Sequence, residues 1–473
     1  MERQATETSK SHVKDVIILE LNEFNTDLLK AASEQYSLPH IKLLLDTAKS
    51  THYKTNDRYN SGYLEPWVQW VSIHSGVPSS QHKIKHLGDV PDLNYAQAWE
   101  TLSQHGISTG VWGVMNGGRR DEEHVKFFLP DPWTFSEDAF PKKVNNLLSL
   151  PRYLSRNYRN LKFTKILNKS IKLLSYIFSS GAGLKITAQV VNLLGSLIKR
   201  GPKHYVFISY FDYISTLLFI KMKKTHTPKC SFLFLNSIAH IQHHHWKNGP
   251  DGVTPEILFG LKMVDRLLGL LKSVFPEDEL VVHNGLSQMN TNHEKPWVLY
   301  RQKDPFQFLV SMQLNPTKVE QLMTHDGHAF FDSAESCQFA FEQLKSIRIN
   351  NKALFHVEYN AEDDKKLFYQ LNFTDELETP TRFECNQNNF RFFDYFDRIV
   401  TRTGRHIPMG TVFSHHINFS DHMFNHDFNK HLFHYLNPEQ FPMVETSKFS
   451  LPEFQVQTPK ETAANTSEAV CTQ

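Results

Sequence analysis

Thr403-Gly404-Arg405-His406-Ile407-Pro408-Met409-Gly410 sets one histidine between two glycines and a proline, and two upstream segments give that setting its meaning. The first is Glu65-Pro-Trp-Val-Gln-Trp-Val-Ser-Ile-His-Ser-Gly76, closed by Gln81-His82-Lys83-Ile84. The second is Ile241-Gln242-His243-His244-His245-Trp246, which with His240 crowds four imidazoles into six residues. Taken alone, a histidine beside Arg405 reads as a surface residue. With a histidine cluster far up the chain, a metal-ligand role is expected for some of these rings, without selecting which.

Outward from these segments the chain alternates apolar strands with amphipathic helices. Residues 15–22 read as a buried strand, followed at once by a polar turn and a helix from about Thr26. Residues 107–114 form a second strand and lead into Asn116-Gly-Gly-Arg-Arg120; 231–235 and 280–282 form two more. Residues 257–273 carry apolar side chains at three- and four-residue intervals, the helical period. That alternation predicts an α/β fold with a parallel sheet covered on both faces. The site of such a sheet forms where the polar turns gather, at the carboxyl ends of the strands.

In order and separation, the three quoted segments resemble the alkaline phosphatase superfamily, in its type I phosphodiesterase/nucleotide pyrophosphatase branch. That family has a Trp-containing helix ending in Ser/Thr-Gly, a Gln-His-x-x-Trp segment and a late Gly-x-His-x-Pro-x-Gly. The resemblance implies a three-layer α/β/α core over roughly 15–120, 205–300 and 395–415. It also implies hydrolysis or transfer of a phosphate-type ester (phosphomonoester, phosphodiester or sulfate) by two cations about 4 Å apart. His243 and His406 stand at the family's histidine ligands, with His240 beside them as a further metal candidate.

Other family positions are altered. Asn22 replaces the Asp that ends the first strand, with Glu20 and Glu23 flanking it as substitute ligands. Pro66 falls where the family has its Thr or Ser nucleophile, which leaves Glu65 as ligand, base or carboxylate nucleophile and Ser72 as the alternative hydroxyl. His283-Asn284-Gly285-Leu286-Ser287-Gln288 stands in place of an Asp-His, and Ala239 in place of a further Asp. With one Thr and three Asp equivalents missing, fewer than two ions of zinc or manganese are expected, because hard cations need anionic oxygen. A catalytically silent relative that binds an anionic ligand, glycan or membrane surface is the alternative these losses raise.

Residues 139–211 contain no Asp or Glu but 13 Lys/Arg, with apolar residues at helical spacing. That pattern fits a basic helical cap, a membrane-surface contact, or a solvated basic face. Residues 305–380 read as a small α/β subdomain set before the last part of the core at 381–449, and 450–473 as a disordered tail. Asn284, Ser287, Arg119, Arg120, His325 and Asp326 are the expected substrate-binding groups, Arg119 and Arg120 because a Gly-rich turn can cradle an anion. Net charge is +1, so the overall balance indicates no specific nucleic-acid partner. An anionic small-molecule, lipid or glycan substrate is expected, with peripheral membrane contact through 139–211. The four scattered cysteines suit a reducing compartment, and 16–19 is too short an apolar run for a signal-peptide core, so a cytoplasmic location is the expectation.

Overall fold

The structure is a computed structural model that describes residues 13–55, 64–120, 123–157, 161–247, 252–292, 294–322, 325–360, 363–385 and 387–443. The expected tail at 450–473 lies outside the described residues.

Alternation along the first strand sets the layers. Ile17, Leu19 and Leu21 of Val16–Leu21 point into one apolar core, while Val16 and Ile18 point into another on the opposite face. Both cores are covered by helices, so this strand is apolar on both sides and sits centrally. The eight-stranded sheet runs Met423–Phe424, Lys49–Lys54, Met409–Ser414, Glu279–His283, Val16–Leu21, Cys230–Leu235, Thr109–Val114, Val125–Pro130. The first core lies under the helices Thr26–Gln35, His204–His226 and Pro255–Val274; the second lies under Pro66–Ser75, Ala98–Gln104 and Phe428–Leu436. The three-layer α/β/α architecture expected from the sequence is the one observed.

One strand departs from the expected parallel sheet. Met409–Ser414 pairs antiparallel with both Lys49–Lys54 and Glu279–His283, whereas the central pairings are parallel. Its amino end therefore lies at the sheet's carboxyl edge, and this brings the preceding residues, His406 among them, to the site. Lys49–Lys54 is polar and its period is weak, so it gives little strand signal in the sequence.

The basic insertion is helical: Asn145–Asn157, Phe163–Ser179 and Gly183–Arg200, continuing into His204–His226, which extends past residue 211. His204–His226 is long and apolar enough to cross a membrane, but 67% of its apolar window is buried within the protein. Asp212 on this helix accepts the Ser237 N–H (2.7 Å), pinning the cap to the start of the helix Ser237–His245. The small subdomain has its own apolar core, from Val298 to Phe396, wider than residues 305–380. It is built on a four-stranded antiparallel sheet and the helix Ala334–Ser346. His415, His416, His422 and His426 precede the last helix, which begins at Phe428. His422 lies in a left-handed turn (φ 63°) and His426 in a 3-10 turn, so they share no helix face.

Candidate active site

The turn after Val16–Leu21 carries the central carboxylate. Glu23 adopts φ 57°, a left-handed conformation that costs a non-glycine residue about 1 kcal/mol or more. The turn is held there by its neighbours. Glu23 N–H donates to the Asn284 carbonyl (3.0 Å), and the Gln242 amide donates to the Glu23 carbonyl (2.8 Å). Its carboxylate accepts from Asn22 Nδ2 at Oε1 (2.8 Å) and from Gln288 Nε2 at Oε2 (2.5 Å).

Two imidazoles meet this carboxylate. His243 Nε2 lies 3.0 Å and His406 Nε2 3.1 Å from Glu23 Oε2, and the two Nε2 atoms are 3.2 Å apart. His243 comes from the helix Ser237–His245 and His406 from the strand Gly404–Ile407, which pairs with Ser287–Asn290. His243 Nδ1 lies 2.8 Å from the Gly404 carbonyl, so Nδ1–H donates there and Nε2 keeps its lone pair facing the cluster. Gly404 permits this approach: a Cβ there would collide with the Gln288 side chain and the Gln242 carbonyl.

Charge and burial act against each other here. Burial would raise the Glu23 carboxyl, but the charge of His406 and the close approach of His243 hold it well below the ordinary carboxylate range. Burial pulls His406 down, yet Glu23 and then Glu65 raise it above the usual imidazole value. His243 is lowered by burial, against the pull of Glu23. Glu65, whose Oε2 is 3.7 Å from His406 Nδ1, is raised by burial against the charges of His406 and Arg402.

The donor set fits one divalent cation. Among the described residues, Glu23, His243 and His406 are the group whose ligand atoms could hold an ion together. Glu23 Oε2, His243 Nε2 and His406 Nε2, 3.0 to 3.2 Å apart, would be the atoms that hold it. The tautomer of His243 already suits it. Among the described residues, the adjoining Asn22–Asn284 corner offers no carboxylate ligand of its own for a second cation. Asn22 Oδ1 accepts the Trp70 indole N–H (2.8 Å), and the Asn22 amide donates to Glu23 and to Asn236 Oδ1 (2.7 Å). Asn284 Oδ1 accepts Thr411 N–H (2.9 Å) and the Tyr53 hydroxyl (3.3 Å), and its amide donates to the Phe24 carbonyl (2.7 Å). This corner is neutral, buried and already hydrogen-bonded.

A cavity of about 110 Å³ opens on the cluster, walled by Glu23, Glu65, His243, His406, Arg402 and, from the small subdomain, His325 and Asp326. Thr324 lies outside the described residues. Several expected site residues are placed elsewhere. Glu20 is fully buried against His74 Nε2 (2.7 Å), on the side of the sheet covered by the helix Pro66–Ser75. Ser72 is buried in that helix, 3.0 Å from His82 Nε2; because His82 Nδ1 accepts the Ile84 N–H, Nε2 donates to the hydroxyl and does not activate it. His240 lines the cavity but packs on His204 and His244 outside the ligand cluster, and burial lowers it to about 4. Asn284 and Ser287 are buried beneath the floor, the latter donating to the Phe24 carbonyl (2.9 Å). Arg119 lies over the Phe140 ring, and Arg120 reaches the Leu93 and Tyr95 carbonyls, so neither is on the cavity wall. Sequence reasoning missed Arg402, whose signal was its place four residues before His406.

No protein-family model matches the sequence, and no curated protein matches it. Among solved structures, the chain is similar to phosphonoacetate hydrolase from Sinorhizobium meliloti 1021 in complex with phosphonoformate. The likeness covers 90% of this chain and 95% of that one at 12% identity, with a TM-score of 0.43. It is also similar to murine ectonucleotide pyrophosphatase / phosphodiesterase 5, over 92% of this chain and 98% of that one at 10% identity, TM-score 0.44. The human form of that protein covers 92% of this chain and 97% of its own at 10% identity, TM-score 0.43. At such values the likeness assigns neither activity nor ligands, and the site is read from its own geometry.

Proposed function

We propose that the chain is a hydrolase or transferase acting on a phosphate-type ester at a single-cation site. The observation that carries this is the convergence of Glu23, His243 and His406 at hydrogen-bond distances around one open face, with Glu65 and Arg402 on the same cavity wall. When bound, a zinc or manganese ion supplies Lewis-acid polarisation of the ester oxygen. Arg402 places a fixed positive charge where an anionic ester would lie, and its planar fork suits phosphate or sulfate oxygens. Glu65, raised by burial, holds or accepts a proton at the cavity wall, the role of a general base toward an attacking hydroxyl or water. Glu65 also faces His406 Nδ1, which keeps that ring turned toward Glu23.

The test is a panel of aryl phosphate mono- and diesters, phosphonate esters and sulfate esters, with zinc or manganese added. Glu65→Gln should lower turnover about 100-fold or more, the usual scale of a lost acid–base group. Ser72→Ala should cost little. Turnover that survives Glu65→Gln but not Ser72→Ala would move the chemistry to the hydroxyl.

The second reading is a silent relative that binds an anion without turning it over, and the neutral Asn22–Trp70–Asn284 corner favours it. Phosphate binding that requires Arg402, with no turnover across the panel, is its signature. Membrane association of 139–211 is a separate part of this reading, supported by the exposed Lys165, Lys172, Lys185 and Lys199 beside exposed Phe163, Ile171 and Ile198. It predicts binding to anionic vesicles that falls with salt. Arg152 and Arg156 are engaged within the protein, Arg152 donating to the Thr134 and Glu137 carbonyls and Arg156 covering Phe135, so the lysines are the residues to neutralise.

A further inference from the structure

We propose that the ester's leaving or retained group is a long apolar tail, seated in the cavity between the cap helices and the sheet. The tail site presupposes that the small polar cavity receives the ester's head, as proposed above. The larger cavity measures about 660 Å³, within the range of small-molecule sites and several times the polar one. Leu148, Ile177, Ile186 and Leu218 are among its wall residues, contributed by all four helices of the insertion. Its two acidic wall residues are engaged elsewhere. Asp212 caps Ser237, and Asp131 accepts from Asn116, Trp133 and Thr134. A wall of this kind offers water few partners and offers an alkyl chain continuous contact.

Two sets of wall residues define what could occupy it. Met115, Asn236 and His240 line both this cavity and the polar one, so the two spaces adjoin at these residues. Leu154, Leu174, Val190 and Phe211 line it as well and are exposed on the cap surface, which gives the apolar space an outer mouth. A polar ester head beside Arg402 and His406 with an alkyl tail under the cap satisfies both surfaces at once. A nucleoside would match the larger cavity less well, because most of that wall is aliphatic or aromatic. The ligand is thus an amphiphile, an anionic phosphate-type ester carrying an unbranched hydrocarbon of several methylenes.

The experiment uses the full chain and a series of n-alkyl phosphates from butyl to dodecyl, each below its critical micelle concentration, with binding measured by calorimetry. Each added methylene should tighten binding about threefold to fourfold until the cavity is filled. The n-alkanols of the same lengths should show the same slope at weaker affinity. Arg402→Gln should weaken the phosphates while leaving the slope unchanged. Ile177→Trp and Leu148→Trp, checked for folding by circular dichroism, should end the slope at shorter chains. A flat response on the folded wild-type chain overturns the tail site without any variant being needed. A slope shared with the alkanols but no preference for phosphate overturns the placement of the head. A normal slope with no ester turned over upholds the tail site and removes only the hydrolytic reading of the polar cavity. Loading from anionic vesicles faster than from free monomer would assign the tail's source to a membrane; slower loading would assign it to monomer in solution.

Discussion

Two corners of one sheet edge, set by adjacent residues of the first turn, are built on opposite principles. At Glu23 the chain concentrates charge: a buried carboxylate, two imidazoles, a second carboxylate and an arginine share one small cavity. At Asn22 it removes charge: the Asn22 amide oxygen takes the Trp70 indole N–H, the Asn284 amide oxygen takes the Tyr53 hydroxyl and Thr411 N–H, and the carboxylate beside them is Glu23 itself. Each solution is locally consistent. A buried carboxylate persists only beside compensating charge, whereas a buried amide needs only complementary hydrogen bonds. The indole of Trp70 belongs to the second case, because its N–H already hydrogen-bonds the Asn22 amide oxygen, a neutral and poor ligand for a divalent cation. Gly285 (φ 73°) lies against that ring, and a Cβ there would come within 2.8 Å of Trp70.

The widest break between the corners would come from removing the charged one. Glu23→Gln and His406→Ala should each take zinc content from one ion per chain to none, in protein purified without a histidine tag. Any esterase activity should fall by at least about a thousandfold, the scale of losing a cation with its Lewis acidity. Two tightly held ions per wild-type chain, measured by elemental analysis, would falsify the contrast itself.

A second measurement probes the neutral corner from the other direction. Asn22→Asp restores a carboxylate but sets it against Glu23 Oε1 and Asn236 Oδ1, where the amide now donates. Two hydrogen bonds become two repulsions in a buried site. Stability in urea should drop by about 2 to 4 kcal/mol, and zinc content should stay at one. Unchanged stability with a second ion gained would mean that Trp70 yields and the corner is only one substitution from binding metal.

How far these corners could be read in the sequence follows from where their residues come from. The strands 15–22, 107–114, 231–235 and 280–282 are apolar runs bounded by polar turns, so their period was visible and the sheet with its carboxyl edge could be inferred. His243 and His406 were legible through their surrounding motifs. The antiparallel strand Met409–Ser414 was not, since its neighbour Lys49–Lys54 is a polar hexamer and strand direction leaves no local trace. Strand alternation puts Glu20 on the face of Asn22 and makes Glu23, in the turn, the more natural stand-in; the left-handed conformation that holds Glu23 there, φ 57°, left no trace in the pattern. The shared wall of the two cavities depends on long-range packing of the cap, which no spacing in the chain encodes.

The groups that steady the charged corner are a subtler lever. Gln288 Nε2 donates to Glu23 Oε2 and to the Ala239 carbonyl, and so fixes the carboxylate's rotation without touching the cation position. Gln288→Leu should weaken zinc binding about 10- to 100-fold, the common effect of losing a group that orients a ligand, with one ion still bound at saturation. Competition against a fluorescent chelator measures this. A shift below twofold would show that Asn22 Nδ2 and the left-handed turn hold Glu23 unaided.

The smallest expected effect sharpens the contrast between histidines that gain a proton and those that lose it. His406 is raised because two carboxylates face it, but at the junction of core and subdomain His86 is lowered to about 4, with burial outweighing Glu358. His86 stacks on Phe368 (3.6 Å between ring centres), meets His328 edge-on, and is also faced by Lys85, Lys366 and His356. A histidine depressed on folding binds its proton more tightly in the unfolded chain, so its stability contribution is present above the unfolded value near 6.5. That contribution is lost as pH falls toward 4. Asp89, which accepts the His86 N–H and is raised by burial to about 6, acts with the opposite sign, gaining stability as it is protonated. Between pH 7 and 5 the His86 share should be on the order of 1 to 2 kcal/mol. His86→Phe keeps the stack on Phe368 and removes the titration, so the variant should lose about that much less stability than wild type over the same interval, as read by urea titration at each pH. Equal losses in the two proteins would place the acid sensitivity elsewhere and leave burial at His86 without a measurable electrostatic cost.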